Sequence, residues 1–465
     1  MRLFEPLLTL HMFILVLGLT VYVVSSRSLR LRRHPSAALA WVVALVLLPY
    51  TALPLYLIFG IRKIRLTPAA THPPAAMPGI SADTLGARTQ QLANMMGLAP
   101  ACAYYQLHLH QNGEEALAAL YDVIDTAQHS LDICSFLLGR DALGDALIQR
   151  LSRRAHEGVR VRVLVDGVGV YLGGRHNLNA LTATGIEATL FVPPLRSSLR
   201  GRTNLRNHRK LLVADQTRLW CGGRNLAAEY FVGEPRRSPR SLPWLDLSLD
   251  LQGPLAQQVQ TQFERDWYFA RHGALPLPAP PLPATGGVQI GQLIASGPDQ
   301  RDDTLYSLLL SGFFTARRRV LAVSPYFVPD PTLLMSLGLA ARRGVRVELI
   351  LPVRSNHRMA DIARHRALRE LTGAGAHIWM LPQMNHAKAI VIDDELAFVG
   401  TANLDERSLF LNYELMLAIY AVTDVGQIAR WIEARRDEAA VYQARAPGFW
   451  RDIGEGLLLW LAFQL

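Results

Sequence analysis

The hydrophobic pattern divides this chain before any single residue does. Leu7 to Val24 is apolar except at Thr9, His11, Gly18 and Thr20, a run long enough to cross a bilayer as a helix. Arg27, Arg30, Arg32 and Arg33 follow. A second apolar run extends from Ala37 to Ile61, with Pro49 and Pro54 inside it. Trp41, Tyr50 and Tyr56 stand where interfacial anchors would, and Arg62, Lys63 and Arg65 close the run. The pattern predicts two transmembrane helices, about 7–25 and 37–61, in a membrane anchor of residues 1–65. A cleaved signal peptide is the competing reading of the first run. No small-x-small cleavage site precedes Arg27, and a second apolar run follows at once, so an uncleaved anchor is favoured. A hairpin returns the chain to the side of its N-terminus. Basic residues balance across it, so the positive-inside bias assigns no side.

Residues 66–99 read as a linker, rich in Pro and Ala from Leu66 to about Ser81. A second Pro-rich spacer, 273–287, divides the remainder into 100–272 and 288–450, with an apolar tail at 451–465 that either lies in a membrane interface or packs on the domain. The two halves repeat one another. Ala155 to Leu164 and Ala341 to Ile350 each read as a helix end, a glycine C-cap (Gly158, Gly344) and an alternating β-branched strand. Later come short apolar runs, Lys210 to Asp215 and Lys388 to Asp393, then glycine turns Gly222-Gly223-Arg224-Asn225 and Gly400-Thr401-Ala402-Asn403. Acidic residues then sit within apolar strands, at Asp246 and Glu414. Helical periodicity intervenes at Glu114–Ala127 and Ala142–Arg154. The expected fold is α/β: two repeats of mixed sheet flanked by helices, meeting at a shared site on a pseudo-two-fold axis.

With 465 residues, half of them apolar, and a formal charge of +10, the chain can bury a large core and present a basic surface to an anionic partner. Cys102, Cys134 and Cys221 have neither metal nor disulfide spacing and read as buried small residues.

Lysine use narrows the partner. Arg is the general cation here, and only Lys63, Lys210 and Lys388 are lysines. Two of these sit in one pattern written twice, His-x-Lys-x-x-x-x-Asp: His208, Lys210, Asp215 and His386, Lys388, Asp393. One chance match is expected roughly 0.004 times in such a length. On an extended segment, positions i and i+2 share a face, so each histidine projects with its lysine. Two imidazoles and two ammoniums suit displacement at a phosphodiester without a metal. One imidazole attacks phosphorus, the other handles the leaving and entering protons, and the lysines neutralise the non-bridging oxygens. The histidine nucleophile must be neutral and its partner protonated, so near-identical residues need different pKa values. Asp215 and Asp393 either orient a histidine or cap local backbone. Asp246 and Glu414 are candidates to orient the histidines from behind, or form structural ion pairs. Asn225 and Asn403 are candidate amide donors to the phosphate, or simply turn residues. No cofactor or metal is expected, because His-x-Lys is not a ligand pair.

These residues resemble the phospholipase D superfamily, whose signature is this doubled motif. The N-terminal runs with Leu57-Ile58-Phe59-Gly60, the segments Asn207 to Asp215 and Tyr326 to Asp330, and Gly400 to Glu414 resemble bacterial cardiolipin synthases along nearly the whole chain. The resemblance implies a phosphatidyltransferase of the bacterial inner membrane, multi-pass, using phosphatidylglycerol, with phosphatidylethanolamine as an alternative donor. It implies His208 as nucleophile and His386 as acid/base. Gly223 departs from the hydroxyl residue that many superfamily members carry there, though cardiolipin synthases often have glycine. A hydrolase, either a phospholipase or a phosphodiesterase or nuclease of the same fold, is the second reading. A non-enzymatic membrane scaffold is the third. No basic run interleaved with aromatics points to nucleic acid.

Overall fold

The computed structural model describes residues 4–28, 35–60, 63, 84–174, 181–193, 203–233, 242–274 and 289–461. The N-terminal runs form α1 (Phe4–Ser28), α2 (Pro35–Leu47) and α3 (Pro49–Phe59). The second predicted helix, 37–61, is thus two. Leu48 leaves helical geometry at φ −133°, ψ 54°, as a residue before proline does. Backbone bonds from Leu48 to Ala44 and from Ala52 to Leu48, both 2.8 Å, carry the chain across the break. Among the described residues no helix is long and apolar enough to cross a membrane.

The expected linker 66–99 is linker in part at most. Residues 66–83 lie outside the described residues, but Leu85–Met95 is a helix, α4, capped by Thr84. Leu85, Ala93 and Leu98 are buried in the core of the second half, so burial makes this stretch part of that domain. The spacer 273–287 lies outside the described residues beyond Ala274, and Gly273 ends the preceding helix in the left-handed conformation at φ 68°.

Each half contributes one mixed sheet. In spatial order the first is β2 (Tyr105–His110), β8 (Ser248–Gln252), β7 (Arg218–Gly222), β6 (Leu211–Ala214), β3 (Ser130–Ser135), β4 (Arg160–Asp166) and β5 (Glu187–Phe191). The second is β1 (Cys102–Ala103), β9 (Ile290–Ser296), β17 (Glu414–Ile419), β15 (Leu396–Gly400), β14 (Ala389–Ile392), β10 (Arg319–Val323), β12 (Arg346–Pro352), β13 (His377–Leu381) and β18 (Ala440–Val441). Setting aside edge strands β1 and β18, the seven-strand orders correspond one to one. Strand β1 opens the region predicted as the first repeat yet pairs with β9 of the second. The predicted helices are present as α5 (Gly113–Thr126) and α6 (Ala142–His156), and Gly158 and Gly344 end their helices at φ +93° and +87°.

One central cluster joins the inward faces of both sheets with two helices, α8 (Pro254–His272) and α13 (Val422–Asp437). Leu211, Val213 and Leu249 meet Val391, Val399 and Leu415 there, together with Val259, Phe263, Ile428 and Ile432. The outer faces carry separate cores beneath the remaining helices. All three cysteines are free and buried in the central cluster. The apolar tail begins as a helix, α14 (Phe449–Leu461), fastened to α11 (Arg358–Gly373) by Arg369 on Glu455, which Arg451 of the same helix also pairs.

A candidate phosphodiester site shared by two repeats

Both motif copies lie in extended chain just before a short strand, β6 or β14, and each is stitched to the other half. His208 N donates to Tyr413 O and Tyr413 N to Arg206 O, each at 2.9 Å. In the counterpart, Leu245 N donates to Met384 O at 2.9 Å and His386 N to Leu245 O at 2.6 Å. Tyr413 precedes Glu414 and Leu245 precedes Asp246, so each stitch delivers a carboxylate to the histidine across the axis. His208 Nδ1 is 3.0 and 3.2 Å from the two oxygens of Glu414. His386 Nδ1 is 2.8 Å from Asp246 Oδ2. Each imidazole is therefore oriented through Nδ1 by a carboxylate of the other repeat.

The lysines fold back onto their own motifs. Lys210 Nζ donates to His208 O at 2.8 Å; Lys388 Nζ donates to His386 O and lies 2.7 Å from His386 Nδ1. Burial pushes Lys210 down to about 8, against the pull of Glu414 and Asp246. Burial pushes Lys388 down to about 7, with Asp246 opposing and Lys210 reinforcing. The histidines follow. Burial takes His208 to about 4 despite Glu414, with Lys210 and Lys388 adding to the fall. Burial and then Lys388 take His386 to about 3 against Asp246. Asp246 is raised by its own burial, yet His386, Lys388 and Arg224 hold it below the ordinary range. A phosphodiester bound beside these groups would favour a protonated imidazole and charged lysines.

The two motif aspartates are not part of this cluster. Asp215 accepts from the backbone N–H of Gln128, His129 and Ser130 at 2.8, 2.7 and 2.9 Å. Asp393 accepts from Arg317, Arg318 and Arg319 at 2.7, 2.7 and 3.0 Å. Each begins a three-residue hairpin connection whose first two residues have positive φ, 49° and 61° at Asp215 and Gln216, and 53° and 59° at Asp393 and Asp394. Aspartate tolerates that conformation and binds backbone. Of the two alternatives open in the sequence for Asp215 and Asp393, these contacts are those of backbone capping. Distance in the hairpin separates them from the imidazoles.

Asn225 Nδ2 donates to Tyr230 Oη at 2.8 Å and Asn403 Nδ2 to Ser408 Oγ at 3.1 Å. The Oδ1 atom of each is buried with no hydrogen-bond partner among the described residues. Asn403 also hydrogen-bonds the Asp405 carboxylate, so both amides are held in place by the protein. Among the described residues no group of three or more His, Cys, Asp and Glu could hold a metal ion.

Several supporting residues escaped the sequence reading. Asn207 and Asn385 precede the two histidines. Their Oδ1 atoms accept the N–H of Arg209 and Ala387, at 3.0 and 3.1 Å, which shapes both motifs alike. The signal was present, since both copies read Asn-His-x-Lys. Arg209 is fully buried between Asp266 and Asp299 and donates to the carbonyls of Glu414 and Ser296. Thr401 Oγ1 donates to Glu414 at 2.6 Å and Asn412 Nδ2 at 3.2 Å. At the equivalent position a Cβ on Gly223 would stand 2.1 Å from Asp246 Oδ1. The glycine is required by a carboxylate brought close. Phe136 flanks His208 at 5.3 Å between ring centroids, while Tyr230 and Trp244 flank His386 at 5.1 and 5.8 Å.

Comparison with known proteins agrees with this architecture. The family model described as "Cardiolipin synthase, PLD-like domain" matches residues 120–267 and again 309–436, and "Phospholipase_D-nuclease N-terminal" matches 14–60. The chain is 32% identical over 448 residues to cardiolipin synthase A of Pseudomonas aeruginosa, covering 92% of this chain and 90% of that one. It is 34% identical over 402 residues to cardiolipin synthase A of Pseudomonas putida strain GB-1, covering 83% of each. The crystal structure of a phosphatidylserine synthase from Haemophilus influenzae matches 82% of this chain and all of its own, with a TM-score of 0.57 at 14% identity, which speaks to the fold. Two matched repeats around one site, and relatives aligned along nearly their full length, mean that this chain belongs to the cardiolipin synthase family with phospholipase D-like domains.

Proposed function

We propose that the protein is a membrane-bound cardiolipin synthase that moves a phosphatidyl group from one phosphatidylglycerol to another and releases glycerol. The observation that carries this reading is the crossed pair of histidines, each on the other repeat's carboxylate, beside two buried lysines. His208 Nε2 attacks phosphorus and the bond to the departing glycerol oxygen breaks, that oxygen taking a proton from His386. The phosphatidyl group is then held on His208 through a P–N bond. The hydroxyl of a second phosphatidylglycerol gives its proton to His386 and attacks phosphorus, and the P–N bond breaks. Lys210 and Lys388 offset charge on the non-bridging oxygens, and the amide groups of Asn225 and Asn403 are the further donors in this reading. Asp246 and Glu414 keep each Nε2 aimed at phosphorus. His208 takes the nucleophile's role because its side chain is 14% exposed against 4% for His386.

The N-terminal helices form the anchor in this reading, one span near 7–25 and a second, proline-kinked one near 37–61. Apolar side chains on their surface, among them Phe13, Val16, Val24, Leu39 and Leu47, suit lipid contact. The anchor places the enzyme at the bacterial inner membrane, where phosphatidylglycerol, or phosphatidylethanolamine as an alternative donor, is the substrate. The domain division follows: anchor, two repeats, and a C-terminal helix.

The test is expression in bacteria that lack cardiolipin synthesis, with lipids read by mass spectrometry and His208→Ala alongside. Cardiolipin from the intact chain and none from the variant supports the reading. A rise in phosphatidic acid instead makes water the acceptor and the protein a hydrolase.

A further inference from the structure

Lys63 is the one lysine outside the duplicated pattern, and it follows the N-terminal helices directly. Its ammonium lies 2.8 Å from Asp303 Oδ1. It also donates to the carbonyls of Gly297 and Gln300, both at 3.2 Å, and lies 3.5 Å from Asp302 O. An ammonium has three donors on a single atom, and here four acceptors converge on it within 3.5 Å. A guanidinium spreads its donors over a planar fork and cannot reproduce that convergence. This gives a physical reason for lysine in a chain that elsewhere uses arginine.

The gripped loop, 297–303, leads into the site. Gly297 has φ +145°, and a Cβ there would stand 3.0 Å from Tyr413 Cα, next to Glu414. Asp299 is buried and 3.5 Å from Arg209, next to His208. Gln300 Nε2 donates to Asp299 at 3.1 Å. Asp303 itself stands at the N-cap of α9 (Thr304–Thr315) without capping it. At the equivalent start of α5, Asn112 accepts from Glu115 N at 2.9 Å. Asp303 forgoes the ordinary role of its position and faces Lys63.

We propose that Lys63 is a positioning residue that docks the catalytic body onto the N-terminal helices by gripping the 297–303 loop, so that the histidines meet lipid held in the bilayer. This inference rests on the membrane-lipid reading above. The experiment uses the full chain in phosphatidylglycerol vesicles, compared with short-chain phosphatidylglycerol supplied as dissolved monomers. Lys63→Met lowers transfer from vesicles by about tenfold and leaves kcat on monomers within about twofold, since misorientation matters only for a substrate fixed in a surface. Lys63→Arg fails to restore the rate, and Asp303→Asn repeats the loss in part. Amide exchange across 297–303 rises at least about tenfold in Lys63→Met. An equal loss on vesicles and monomers overturns docking, because Lys63 would then act on the chemistry alone. Unchanged vesicle activity, or full activity with arginine, overturns it too. If the intact chain transfers from neither substrate, the lipid reading has failed, and the exchange rates still decide whether Lys63 grips the loop.

Discussion

The two repeats make the same catalytic pair from different surroundings. His208 sits against one phenylalanine and is the more open, with a glutamate behind it that Thr401 and Asn412 also hold. His386 is enclosed by Tyr230 and Trp244, with a shorter aspartate pressed against Gly223. Arg209 stands inside the first motif and Ala387 inside the second. Duplication supplied two imidazoles, and the environment separates what each can do. A nucleophile needs access to phosphorus, which the more open surroundings of His208 suit.

The sharpest way to break this comparison is to remove each histidine in turn. His208→Ala is expected to lower kcat on the order of 10⁴-fold or more, with no acid-quenched phosphatidyl adduct on the protein. His386→Ala should lower it about as much on phosphatidylglycerol. On a phosphatidyl p-nitrophenol ester, whose leaving group needs no proton, most of that loss should be recovered at the first step. Recovery in the His208 variant instead would exchange the two roles.

Next come the carboxylates. Glu414→Gln and Asp246→Asn should each lower kcat by about 10² to 10⁴-fold through loss of tautomer and orientation. Only the Asp246 variant should regain rate with the p-nitrophenol ester, a distinction measured in single-turnover burst kinetics. Smaller still is the effect of the motif aspartates. Asp215→Ala or Asp393→Ala should cost about 2 kcal/mol of stability in urea unfolding, because three backbone donors lose their acceptor. The kcat per folded molecule should stay within about threefold if their role is structural. A large fall in kcat at unchanged stability would return them to the site.

The smallest effect is in pH. Both histidines have folded pKa values, about 4 and about 3, below the unfolded 6.5. The unfolded chain takes up protons first, so their contribution to stability is complete above pH 6.5 and is lost as the pH falls through about 4 and then 3. The melting temperature of the phosphate-free protein should therefore rise from pH 4 to 6.5, with a shallower slope in His208→Gln. Inorganic phosphate should raise it by about 1 to 2 °C below pH 7 and hardly at all above 8, where Lys388 and Lys210 have lost their charge.

Periodicity and the duplicated motif made the repeats, the strand after each glycine cap and both histidine–lysine pairs legible, because those features are local. What crosses the axis was not. That Glu414 serves His208 and Asp246 serves His386 depends on backbone stitches between segments 206 and 140 residues apart in sequence, and no local window along the chain contains both partners. The contacts of the motif aspartates were hidden for a related reason. Their spacing ties them to the histidines, while the hairpin carries them to the far end of the strand. Residues 85–98 read as linker because only a few apolar positions are needed to seat one short helix.

The crossed carboxylates have a consequence for how such a chain can change over time. One repeat alone owns an imidazole whose acid partner lies in a different unit, so it would work only in the company of a second copy. Joined in one polypeptide, the units meet at fixed stoichiometry and high effective concentration. Neither can then drift freely. A substitution behind Glu414 is felt at His208, and one behind Asp246 at His386. A side chain at Gly223 would meet Asp246, and a change at Thr401 would take a hydrogen bond from Glu414, so each pair constrains its members together.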